Sequence, residues 1–187
     1  MAAFLLACVV GGCGSSSPSG HSSSNGTVSV TTGQVVVALA PTLSSQLSAT
    51  GVKLAPVAPA SSPSQGGISF RISGGQIDEA SRSGTVQTSG GATFTGGNAP
   101  LTVSDPVVDV GSNVVSATVN GQTVTILHLA SVASGVKTTG DTVAVNQASA
   151  TIDPAFATTL DDTLGVTLFA NAPQGATVSV NATVEPT

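Results

Sequence analysis

The chain has 187 residues, a formal net charge of −5, four basic residues, and neither Trp nor Tyr. With no basic stripe to neutralise phosphates and no Tyr or Trp to stack bases, nucleic acid is excluded as a partner. Charged residues are 7% of the sequence, against about 25% in an average soluble domain, and Gly, Ser, Thr, Ala and Val dominate, a mixture that disfavours long helices and suits many short strands.

Residues 1–12 are apolar, too short to span a bilayer, and read as the hydrophobic region of a secretory signal peptide. Val10-Gly11-Gly12-Cys13 resembles the lipobox of bacterial lipoproteins. The resemblance implies cleavage before Cys13, palmitate-type acylation of its sulfur and an extracytoplasmic domain anchored to the cell membrane, for which two acyl chains suffice. Leu5-Leu6-Ala7-Cys8 fits the same pattern, but at Cys13 the longer apolar run precedes the cysteine and the Ser-rich tether follows it. Residues 13–26 form that Ser/Gly linker, and His21 within it reads as solvated. Both cysteines lie in this tail, so a disulfide between them would staple nothing in the core.

Residues 27–187 read as one β-rich domain containing two similar modules, residues 37–59 and 150–173. Pro41 matches Pro154, Leu43 matches Phe156, Leu47 matches Leu160 and Thr50 matches Thr163, and one extra residue brings Gly51-Val52 onto Gly165-Val166. Each module predicts strand, short helix, strand. The proline suits a first helical position, Asp153 suits an N-cap, and the glycine suits a stop. Asp161-Asp162 is expected on the wet side of the second helix.

Ahead of the first module, Thr27 to Thr31 alternates as a strand, and residues 55–65 read as an irregular crossing. Ile68 to Ile72 is a predicted strand, with a break at Gly74-Gly75. Thr85 to Ser89 and Ala92 to Thr95 are predicted to pair through a Gly90-Gly91 hairpin. Leu101 to Val110 reads as strand, kink at Asp105-Pro106, strand. Asn120-Gly121 predicts a type I′ turn pairing Val119 with Gln122, Ala117 with Val124 and Val115 with Ile126. That register puts His128 opposite Asn113, on the side of Ile126. Thr142 to Ile152 and Gly175 to Val184 are the last strands.

His128 is the one histidine of residues 27–187, so any Ser-His-Asp hydrolase must use it, and no Gly-x-Ser-x-Gly elbow accompanies it. The plain reading is a strand-end imidazole bonded to a neighbour such as Asn113. Asp105, Asp109 and Asn113 have oxygen ligands for calcium, but not at the spacing of a known loop. No Cys/His metal pattern, P-loop or dinucleotide fingerprint occurs.

The middle of the chain carries a further resemblance. Gly67-Ile68-Ser69-Phe70, Gly75-Gln76-Ile77, Gly84-Thr85-Val86, Ala92-Thr93-Phe94-Thr95-Gly96 and the run from Leu101 through Asp105-Pro106 to Val110 resemble the HtaA domain of actinobacterial surface proteins. The shared features are a Phe-bearing strand, glycine-separated strands, a Phe-Thr-Gly element and an apolar run with Asp-Pro. The resemblance implies an envelope-attached, mainly β domain. Some members of that family bind haem for iron uptake through tyrosine with histidine support. This sequence has no tyrosine, so no ligand carries over, and His128 is the residue of the folded region able to substitute.

The expectation is therefore an all-β fold, mainly antiparallel and either sandwich or barrel-like, with two short helices. The leading functional reading is a non-catalytic cell-envelope lipoprotein that binds a small molecule or a protein partner and needs no cofactor or metal. The alternatives are a haem-uptake protein of the HtaA type, with His128 as cofactor-binding residue, and an extracytoplasmic hydrolase using His128.

Overall fold

The structure, a computed structural model, describes residues 26–63, 67–78, 80–130, 136–139, 142–171 and 175–186. The stretch read as a signal, Cys8, Cys13, His21 and the stretch read as a linker up to residue 25 lie outside these residues.

The elements in order are β1 (Thr27–Leu39), α1 (Pro41–Thr50), β2 (Lys53–Val57), β3 (Ile68–Asp78), β4 (Ser83–Ser89), β5 (Gly91–Thr95), β6 (Leu101–Asp109), β7 (Val114–Val119), β8 (Gln122–Leu129), β9 (Val136–Thr139), β10 (Thr142–Ile152), α2 (Pro154–Leu164) and β11 (Ala176–Pro186). All pairings among these strands are antiparallel. The sheet of 11 strands does not split into a sandwich. Its path runs β6-β4-β3-β1-β11-β10-β8-β7, and β7 pairs back to β6, which closes a ring of eight strands. β5 and β2 extend from β6 as a flap, and β9 lies beside the start of β10.

The alternation of small apolar and hydroxyl residues fits this closure. Along β7, Val115, Ala117 and Val119 are buried while Val114, Ser116 and Thr118 are half-buried. Val35, Ile77, Val86, Val108 and Val143 fill the interior from the other strands. Each such burial stabilises the fold by about 1.5–3 kcal/mol before entropy is counted.

β6 makes the ring possible. Its first half pairs with β5 and its second half with β4 on one edge, while β7 follows the other edge from Val103 to Asp109 with a register shift between Ser104 and Val107. The change of partner occurs at the predicted kink, where Asp105 has φ +49° and Pro106 has no N–H to donate. The Asp105 N–H donates to the Gly90 carbonyl at 2.7 Å, the Gly90 N–H donates to Asp105 Oδ1 at 3.2 Å, and Thr88 Oγ1 donates to the Pro106 carbonyl. The expected Gly90-Gly91 hairpin is therefore absent: β4 and β5 do not pair, and Gly90, at φ +94°, carries the chain from one half of β6 to the other. Gly74-Gly75 is likewise no break but a register shift within continuous β3.

The hairpin at Asn120-Gly121 forms with both residues at positive φ, 52° and 79°, as a type I′ turn requires. Its register departs from expectation beyond Ser116. That residue pairs with Thr125, but Val115 pairs with Leu127, so Ile126 is an extra residue in β8. The bulge turns both Ile126 and Leu127 inward and His128 outward, opposite Val114 rather than Asn113.

Both helices begin at proline and end at a left-handed glycine, Gly51 and Gly165. They bury Leu43 and Leu47, and Phe156, Leu160 and Leu164, over the same end of the barrel. The strand expected after α1 is β2, but the strand expected to start at Val166 after α2 does not form, and residues 165–171 are turns and bends. Asp161, expected on the wet side, is 8% exposed, on the buried face with Ala157 and Leu164 at i−4 and i+3. Its carboxylate accepts the backbone N–H groups of Leu168, Phe169 and Ala170 at 2.9–3.0 Å, which curls the segment back on the helix. Phe169 then meets Phe94 edge-to-face, with ring centroids 5.8 Å apart. The loop after β5 completes the end of α2: the Asn98 and Ala99 N–H groups donate to the Leu164 and Thr163 carbonyls.

Asp161→Ala orphans three backbone donors. It should lower the free energy of unfolding in urea by about 2–4 kcal/mol, whereas exposed Asp162→Ala should change it by less than about 0.5 kcal/mol.

Candidate functional site

The outward turn of His128 brings it to a partner that the hairpin alone does not contain. Thr151 of β10 pairs opposite His128 of β8. Two residues on, the Asp153 N–H still donates to the Ile126 carbonyl at 3.0 Å, and Asp153 is extended at φ −61°, ψ 133°. Residues two apart in an extended chain share a face, so Asp153 lies on the face of Thr151 and diagonal to His128. His128 Nε2 and Asp153 Oδ2 are 2.9 Å apart.

Asp153 has a second task. Its Oδ1 accepts the N–H groups of Ala155 and Phe156 at 2.9 and 3.1 Å, which is the predicted N-cap of α2. One carboxylate thus joins the start of α2 to the outer face of β8. Its side chain is 19% exposed and that of His128 is 49% exposed. Partial burial pushes the Asp153 pKa up. The hydrogen bond from His128, those from the Phe156 and Ala155 N–H groups, and the charge of His128 outweigh it and hold the carboxyl below its ordinary 3.8. A carboxylate only accepts, so Nε2–H is the donor, and in the neutral ring Nδ1 carries the lone pair. A surface imidazole oriented by a carboxylate behind it is the usual arrangement of a histidine that ligates a metal.

Two open grooves flank the pair. One of about 270 Å³ is lined by His128, Leu129, Ser149, Thr151 and Thr177 among others. The other, about 470 Å³, runs between the β7–β8 hairpin and α2 and includes Asp153, Asn120, Gln122 and Phe156. Among the described residues, no hydroxyl or thiol is hydrogen-bonded to the His128 ring; the Thr151 hydroxyl donates to the His128 backbone carbonyl.

The oxygen ligands considered for calcium are engaged in turns. Asp105 accepts from Gly90, and Asp109 Oδ1 accepts from the Gly111 and Ser112 N–H groups. The bond from the Ser112 backbone, above all, holds the Asp109 carboxyl below its ordinary value. The Asn113 carbonyl accepts from Leu129. Among the described residues, no group of three or more His, Cys, Asp or Glu side chains is placed to hold a metal ion.

No protein-family model and no curated protein matches the sequence. Among solved structures, the C-terminal domain of HtaA from Corynebacterium glutamicum matches with a TM-score of 0.59 at 16% sequence identity, over 84% of this chain and 99% of that domain. The chain has the HtaA C-terminal domain fold. The resemblance read between Gly67 and Val110 covers β3 to β6, and the structural match takes in 84% of the chain. Asp153 was legible as a cap, but its contact with His128 depends on β8 and β10 pairing across the 20 residues that separate Leu129 from Ala150.

Because the Asp153 pKa is lower folded than unfolded, its stabilisation is complete above the ordinary carboxylate range and is lost as pH falls through the folded value. Asp153→Asn, which keeps a capping oxygen, should therefore lose less unfolding free energy than wild type between about pH 5 and about pH 2. Urea unfolding at stepped pH measures the difference.

Proposed function

We propose that this HtaA-like chain is a non-catalytic binding domain displayed on the cell envelope, that its ligand is haem, and that His128 supplies the bond to iron. The observation that carries this reading is an exposed histidine, backed by a carboxylate, on the HtaA fold. Haem, when bound, would supply an iron centre able to accept a nitrogen ligand. The chain's own residues offer that nitrogen and orient it: Asp153 fixes the ring tautomer, and the α2 N–H groups fix Asp153.

The fit is specific in what it allows. The sequence has no Tyr, so tyrosine ligation is excluded. The barrel interior, with a cavity of about 80 Å³, is far below the roughly 300–1,000 Å³ of pockets that bury a drug-sized ligand and cannot take a porphyrin, so haem must bind at the outer surface. Of the residues present, His128 would hold the iron. The hydrolase reading gains no support, because the ring has no hydroxyl nucleophile bonded to it among the described residues.

We further propose that residues 1–12 are removed as a signal, that Cys13 carries the lipid, and that residues up to 26 tether the domain to the membrane. Palmitate labelling should be present in wild type and absent in Cys13→Ser.

Titrating haem into the purified chain tests the ligand. A shifted Soret band is expected in wild type and its loss in His128→Ala. An unchanged Soret band, or wild-type binding by His128→Ala, contradicts the assignment.

A further inference from the structure

Four of the chain's five phenylalanines, Phe70, Phe94, Phe156 and Phe169, converge on one cavity at the end of the barrel, beneath the two helices and the flap of β2 and β5. Leu43 of α1 and Leu160 of α2 also line it, and every lining side chain is a hydrocarbon. The space amounts to about 80 Å³. Two alanines, Ala92 of β5 and Ala176 of β11, stand in its wall where larger apolar side chains would close it.

Protein cores leave few voids larger than a water molecule, and an eight-stranded barrel is just wide enough either to be filled by side chains or to hold one small ligand. Water in such a space needs two to four polar partners, and these side chains supply none. From the walls and the size we infer that the cavity is a binding site for a small, neutral hydrocarbon molecule. It is separate from the haem reading: neither His128 nor Asp153 lines it.

Xenon is the probe matched to this volume. Under xenon pressure, methyl resonances of Leu43, Val103 and Leu160 should shift in the purified chain, while those of Ile77 and Val86, which do not line the cavity, stay in place. Ala92→Leu should abolish the shifts, and Leu160→Ala should enlarge the space so that benzene raises the thermal midpoint in proportion to its occupancy. If Ala92→Leu does not fold, Ala176→Val serves as the filled variant. Absence of the shifts in wild type, or their survival in a folded filled variant, overturns the inference.

Discussion

The barrel depends on a bend in β6. At Asp105-Pro106 one edge of that strand passes from β5 to β4, while the opposite edge stays with β7. Pro106 leaves a missing donor where the ladder is interrupted, and the Asp105 side chain accepts the Gly90 N–H that the corner frees. Without this exchange the sheet would keep two long edges. Closure matters more here than in a charged protein: charged side chains, which commonly guard sheet edges, make up only 7% of the sequence.

Two aspartates then fasten the closed end. Asp153 caps the start of α2 and ties it to β8 through His128, and Asp161 gathers three N–H groups beyond the end of the helix. The Asp153 carboxylate satisfies donors that the start of a helix leaves open, and that of Asp161 satisfies donors of the segment beyond its end. Asp161 also seats Phe169 against Phe94, so a polar contact outside the helix sets an aromatic contact inside the barrel.

The features visible in the sequence were local. The two Pro-to-Gly helices, the type I′ turn at Asn120-Gly121, the kink at Asp105-Pro106 and the strand from Thr142 to Ile152 all follow from backbone preferences of neighbouring residues. The misplaced features were those decided at a distance. Gly90-Gly91 has the composition of a hairpin, yet β6 offers β4 and β5 one shared edge, and that pairing wins. Ile126 gives no sign of being an extra residue, and the resulting one-step slip moved His128 to the outer face. Asp161 reads as a surface acid until the loop that supplies its donors is in place.

The consequence for function is that the surface and the interior are chemically distinct. Outside, His128 and Asp153 present an oriented imidazole; inside, hydrocarbon side chains surround a space too small for a porphyrin. The most direct measurement of the central claim is the amide NMR spectrum of the chain with and without ferric haem, whose unpaired electrons broaden nearby signals. Selective broadening at His128, Thr151 and Asp153, with exposed Arg71 and Gln76 of β3, four strands away on the far side of the ring, left sharp, is the predicted result. Broadening spread evenly over the chain, or centred away from His128, would contradict it.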